Sequence, residues 1–305
     1  MKKNLSQKLT FAFFIVIFIP ALLTAQMSNL HGTDDEYRYG IHAGNNLRTS
    51  VNNDGTWGGP ANTTNVWPGE WPINSGHIYL IDGNEFVISE VYDNYDPNTG
   101  TFLPTRGELR HIEATVKSAN ISSSSGPKEP TQASGHWATF LPYPGFANPN
   151  SDKIAMAKGG AQWEDSWPPF WPDIADVESP LYSSDGWAGS WNGYFGKGKF
   201  NADEESYFVA DDWIRQKFTG FRPDTNDVAR GGIGVRMYQR GLQWSKGLVQ
   251  DAVFVITDIK NIGTYQHNKV VFGYKIGNNV GDTMTSGDGG DDGASYNLDE
   301  NLVIV

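Results

Sequence analysis

Apolar and polar residues alternate along much of this chain with the two-residue period of β-strands, and the period of helices is nearly absent. In 77–92, the apolar runs from Ile78 to Ile81 and from Phe86 to Ile88 flank Asp82, Gly83 and Asn84, which predicts a hairpin turning at those three residues. In 108–117, Ile112, Ala114 and Val116 alternate with His111, Glu113, Thr115 and Lys117. That pattern predicts a half-buried antiparallel strand with its polar set toward solvent. Further strands are predicted over 206–210, 234–244, 251–260 and 269–276, spaced by turn residues as in a sandwich. Val235 and Met237 lie on one parity and Leu242 and Trp244 on the other, so a bulge near Arg240 and Gly241 is expected to restore one buried face. Residues 252–256 are apolar on both parities, as in a central strand covered on each side. The best helical candidate is 211–218, where Trp213, Ile214 and Phe218 fit a strand equally well.

These elements divide the chain. Residues 1–25 read as a secretory signal peptide: Lys2, Lys3 and Lys8 precede an apolar stretch over 9–19, Pro20 breaks it, and Ala25 supplies the small residue before the expected cut. A retained anchor needs about 20 apolar residues, and this stretch ends too soon. No later segment approaches that length. Residues 26–118 form a smaller β-rich region. Residues 119–134, with serines at 122–125 followed by Gly126, Pro127 and Pro130, read as a linker. Residues 135–199 are dense in Trp, Pro and Gly; they are expected to be irregular but ordered and packed on the next domain, because so many aromatics are costly to leave in water. Residues 200–305 are expected to form an antiparallel, immunoglobulin-like β-sandwich. Its last residues, Asn301 to Val305, look like a strand entered and cut, so the expectation is a protein that continues past them.

Composition supports an all-β class. Eleven Trp, 13 Tyr and 16 Phe beside 35 Gly and 16 Pro suit short strands and tight turns. The absence of cysteine excludes disulfides, thiolate chemistry and thiolate zinc sites, so stability must come from burial. A formal charge of -12, more acidic once the signal is removed, makes nucleic acid and anionic membranes poor partners, since both reward clustered Lys and Arg.

The chain carries no His-Glu-x-x-His pair, no Gly-x-Ser-x-Gly elbow and no phosphate-binding or dinucleotide-binding glycine motif. Its histidines, His31, His42, His77, His111, His136 and His267, are scattered singly and read as surface or hydrogen-bonded residues. No catalytic residue is assigned. Glycoside cleavage needs two facing carboxylates, and Glu164, Asp165, Asp173 and Asp176 among the tryptophans, or Glu204, Glu205, Asp211 and Asp212 near a strand, are the acidic groups available. The competing reading is a solvated acidic surface. The acidic, glycine-rich stretch 281–293 offers hard oxygen ligands in Asp288, Asp291 and Asp292, so calcium is the candidate cofactor, against a plain polar loop. Trp163, Trp167, Trp171, Trp187 and Trp191 recur at four-residue intervals, with proline excluding a continuous helix through the Trp167 and Trp171 motif. They are candidates for a glycan platform, against the alternative that they plug loops onto the sandwich. The text WPGEWP at 67–72 returns as WPPFWP at 167–172, which raises an internal duplication.

Residues 163–305 resemble a region of large secreted surface proteins of the Bacteroidetes and Ignavibacteria type, which often end in a type IX secretion sorting domain. The similarity is carried by WAGSWNGYFG at 187–196 and FNADEESYFVADD at 200–212, and further on by FVITDIKNIG at 254–263 with VVFG at 270–273, similar to strands of immunoglobulin-like repeats. The resemblance implies an address at or beyond the cell surface and no activity. The function expected is an exported, noncatalytic structural or adhesive protein, the N-terminal part of a larger chain, with polysaccharide or other surface proteins as partners. The alternative is a carbohydrate-binding or glycoside-cleaving secreted protein.

Overall fold

The structure, a computed structural model, describes residues 30–59, 68–108, 110–116, 137–161, 163–213, 220–283, 293, 295–300 and 302–304. The signal peptide, the 119–134 linker and most of the helical candidate at 211–218 lie outside them. In chain order the strands are β1 (Tyr39–His42), β2 (Thr49–Asn52), β3 (Trp57–Gly58), β4 (Gly69–Glu70), β5 (His77–Tyr92), β6 (Tyr95–Asp96) and β7 (Thr101–Phe102). They continue with β8 (Arg110–Val116), β9 (Trp137–Thr139), β10 (Leu141–Pro142), β11 (Ala155–Lys158), β12 (Asn192–Gly193) and β13 (Gly196–Lys197). The last are β14 (Glu204–Asp211), β15 (Val235–Gln243), β16 (Phe254–Asn261), β17 (Val270–Thr283), β18 (Ser295–Asn297) and β19 (Leu302–Ile304). Helix is confined, among the described residues, to short turns at Asp34–Glu36, Gly247–Val249 and α1 (Pro172–Ala175). The fold is all-β.

Two sheets hold most of these strands, and β6 with β7, β12 with β13 and β18 with β19 form separate two-stranded pairs. The first runs β1-β2-β3-β5-β8-β9, with β4 and β17 also on β5, and the second runs β10-β14-β15-β16, with β11 on β14. Pairing is antiparallel apart from β8 with β9. The sheets share one core, in which Val51, Trp57 and Val87 of the first meet Phe208, Ala210, Val235 and Met237 of the second, with Phe140, Ile154 and Ile233 between. Because β14 also carries Tyr207 and Val209 on its other face, against a tryptophan cluster, all eight of its positions are buried. The strands expected within 200–305 are divided between the sheets. β17 leaves the β14-β15-β16 ladder and runs antiparallel along β5, from Val270 opposite Ser89 to Thr283 opposite His77.

Several local expectations give way to tertiary pairing. No turn forms at Asp82-Gly83-Asn84. β5 runs unbroken through them, with Gly83 paired to Trp57 on one edge and Ile276 on the other. Turn preference is a local bias, and a ladder on each side outweighs it. The glycine serves close approach, since a Cβ there would stand 3.1 Å from the Tyr274 ring. Thr115, expected toward solvent, is fully buried, because its hydroxyl donates to Asp212 Oδ2 at 2.8 Å. Residues 252–256 are not in a central strand: among the described residues β16 pairs only with β15, and Phe254 is exposed.

The bulge expected near Gly241 is also absent, and β15 pairs without a register shift to both neighbours. Its buried face continues from Val235 and Met237 through Gln239, Gly241 and Gln243, so two amides and a glycine occupy core positions. At Gly241 the second sheet lies close against Trp57 and His42 of the first. A Cβ there would overlap the Trp57 ring and lie 2.7 Å from both His42 Nε2 and Ser206 Oγ. Gly241→Ala is therefore expected to cost about 1–3 kcal/mol by overpacking, read as a fall in the urea midpoint at constant m value.

Candidate functional site

The Trp-rich segment covers the outer face of β14. Proline breaks helical continuity, so each ring is placed by its own turn, and three of them are fixed by the indole N–H. Trp167 donates to the Met156 carbonyl at 2.6 Å, Trp171 to the Ser190 carbonyl at 2.8 Å and Trp191 to Glu205 Oε2 at 2.7 Å. Trp191 lies 5.4 Å from the Trp167 ring and 5.5 Å from the Trp171 ring, edge-on to the latter. Trp167, Trp171, Trp187 and Trp191 are all buried, whereas Trp163 is 53% exposed. Four of the five candidate platform rings are thus core residues, out of reach of a sugar, and Trp163 alone of the five presents a ring to solvent. The second tryptophans of the two similar hexapeptides differ in setting: Trp71 is exposed, while Trp171 is buried and stands at the N-terminal cap of α1.

The acidic residues among these aromatics are held as acceptors. Asp173, at the start of α1, accepts from the Tyr207 hydroxyl at 2.8 Å and from Asn192 Nδ2 at 3.1 Å. Burial pushes its carboxyl above the usual range against those two hydrogen bonds, and burial raises the Tyr207 hydroxyl as well. Glu205 accepts the backbone N–H groups of Asn201 and Ala202 and the Trp191 indole. Asp212 accepts the N–H groups of Ile233, Gly234 and Val235 at 2.7–3.1 Å, besides the Thr115 hydroxyl, with Arg230 Nη2 3.5 Å away. Asp211 binds Gly32 N at 2.8 Å and Arg236 Nη2 at 3.2 Å. Glu204 accepts from Ala43 N at 2.8 Å, and Glu164 from Lys158 N at 2.7 Å. Asp165 is exposed, and exposed Asp176 caps the N–H of Glu178 at 3.0 Å.

Between the sheets lies a polar cluster that hydrophobic patterning did not reveal. Gln239 donates to Glu85 Oε1 and accepts the Trp57 indole N–H at 2.7 Å, and the Thr257 hydroxyl donates to the same Glu85 oxygen at 3.0 Å. Glu85 Oε2 is buried without a hydrogen bond among the described residues. Burial raises this carboxyl to about 7, opposed by the Thr257 and Gln239 hydrogen bonds. Nearby, His42 Nε2 meets Ser206 Oγ at 2.9 Å and its ring tilts against Trp57, while burial lowers the imidazole to about 3. Its sequence signal was slight, one of six singly scattered histidines.

Asp288, Asp291 and Asp292 lie outside the described residues. Among the described residues no group of three or more His, Cys, Asp or Glu side chains is placed to hold a metal ion. The described surface is rich in apolar groups at the edge strand β17, where Val270, Phe272, Tyr274 and Ile276 share a face and are each at least two-fifths exposed. No family model matches the chain, and no curated protein and no solved structure matches it.

Proposed function

We propose that the mature chain acts at the cell surface or outside the cell as a noncatalytic structural or adhesive protein. The observation that carries this reading is the use made of the buried acids Glu205, Asp211 and Asp212 and the half-buried Asp173: they spend their oxygens on N–H and O–H donors that fix loops to β14 and β15. A general acid or nucleophile needs an oxygen turned toward substrate, and these point into the fold. The signal-like N-terminus supports export, and the apolar surface of β17 supports contact with other macromolecules.

The experiment exploits the opposite behaviour of catalytic and structural acids. Asp173→Asn and Glu205→Gln should each lower unfolding free energy by about 1–3 kcal/mol, because each leaves a buried donor or acceptor mispaired. Neither the parent nor a variant should release reducing ends from a polysaccharide panel. Sugar release by the parent that disappears in a variant of unchanged stability would overturn the reading in favour of glycoside cleavage.

A further inference from the structure

Outside the tryptophan cluster, three distant segments build a rigid aromatic surface. Trp71 and Tyr79 are 38% and 40% exposed, with ring centroids 5.8 Å apart and planes at 76°. Trp71 is held from both ends. Its indole N–H donates to Asp251 Oδ1 at 2.9 Å, and its backbone N–H donates to the His77 carbonyl at 3.0 Å. Asn46 Nδ2 donates to the same Asp251 oxygen at 2.8 Å, and Ile73 N reaches the Asn46 carbonyl at 2.7 Å. The preceding residue is anchored deeper, with Glu70 Oε2 2.6 Å from Arg48 Nη2 and Glu70 Oε1 accepting Gly76 N. Tyr79 stands on the outward row of β5 with His77 and Ile81, all exposed.

Leaving indole in water is unfavourable, and fixing its orientation with an exposed carboxylate does nothing to bury it. The arrangement suits a ligand with an apolar face and a hydroxylated rim. Trp71 and Tyr79 offer stacking area, and Asp251 Oδ2, which makes no hydrogen bond among the described residues, stands beside them as an acceptor. The hydrogen bonds from Trp71 and Asn46 hold this carboxylate below its usual range, so it stays charged. In a chain of net charge -12, a fixed carboxylate disfavours uronic and sulfated sugars.

We propose that Trp71, Tyr79 and Asp251 form a surface site for a neutral hexopyranose polysaccharide, with the Trp71 ring stacking on the sugar face, the Tyr79 ring, at 76° to it, packing against the sugar's edge, and Asp251 accepting from a hydroxyl. This rests on the adhesive reading and gives that adhesion a ligand class. It is separate from Trp163 and from the buried tryptophans.

Affinity electrophoresis of the whole mature chain tests it, in gels holding hydroxyethylcellulose, galactomannan or, as the anionic counterpart, polygalacturonate. Retardation by a neutral polymer is expected, with apparent Kd raised about tenfold or more in Trp71→Ala and in Tyr79→Ala, as for a stacking hot spot. Both variants should keep the parent's melting temperature, since the rings are half exposed. Should Trp71→Ala fold poorly, Tyr79→Ala and Asp251→Asn carry the test, the latter expected to weaken binding without reversing the preference for neutral polymers. No retardation by either neutral polymer, retardation by polygalacturonate alone, or binding lost only in Trp163→Ala would overturn the site. Sugar release without retardation loss in these variants would instead overturn the noncatalytic reading.

Discussion

Trp191→Ala is expected to remove about 5 kcal/mol of unfolding free energy, while Trp163→Ala changes it by no more than about 0.5 kcal/mol. The contrast follows from placement. Trp191 is fully buried between Trp167, Trp171 and the β14 face, so its loss removes apolar burial and leaves a cavity, which for a large aromatic costs about 3–5 kcal/mol. Its indole N–H also satisfies Glu205 Oε2 at 2.7 Å, and an orphaned buried acceptor adds about 1–3 kcal/mol. Against a typical total of about 5–15 kcal/mol, such a loss threatens folding itself. Urea denaturation followed by circular dichroism makes the comparison. Equal effects of the two substitutions would mean that the tryptophan cluster is not core.

The strand content was legible because β-alternation is a property of neighbouring residues. The runs at 206–210, 234–244 and 269–276 needed no partner to be recognised, and β14, β15 and β17 form there, β15 a residue shorter at each end and β17 starting a residue later. Partnership was not legible. Gly83 looks like a turn residue until Trp57 and Ile276 flank it, and Thr115 looks solvent-facing until Asp212, 97 residues away, accepts its hydroxyl. The parity change from Val235 and Met237 to Leu242 and Trp244 reads as a bulge, because Gln239 looks like no core residue. Its fitness for the core comes from Glu85, 154 residues earlier, and from the Trp57 indole. The same holds for sites. The WPGEWP text drew attention to Trp71, but the carboxylate that orients its ring is 180 residues distant, and repetition of the motif at 167–172 pointed to a ring that is buried.

The inter-sheet polar cluster should make stability depend on pH in two opposed ways. His42 is neutral in the fold, with its pKa lowered by burial from 6.5 to about 3, so the unfolded chain binds the extra proton first. Its contribution is present above pH 6.5 and is lost as pH falls toward 3, by about 5 kcal/mol in all at about 1.4 kcal/mol per unit. Glu85 acts in the other direction. Burial raises it from 4.5 to about 7, so the folded chain holds a proton that the unfolded chain releases; its contribution is complete below pH 4.5 and is lost as pH rises to 7, about 3 kcal/mol in all. Between pH 4.5 and 6.5 the two slopes cancel, which predicts a plateau with falls on both sides. Glu85→Gln keeps an acceptor for Gln239 and Thr257 and removes the charge. Relative to the parent it should be near neutral at pH 4.5 and about 3 kcal/mol more stable at pH 8. His42→Gln should remove the acid fall and, with nothing left to cancel the Glu85 slope, extend the alkaline fall down to pH 4.5. Urea titrations at half-unit pH steps give both differences, in which other titrating groups cancel. A Glu85→Gln difference that does not change between pH 4.5 and 8 would show that the carboxyl ionises normally inside the sandwich.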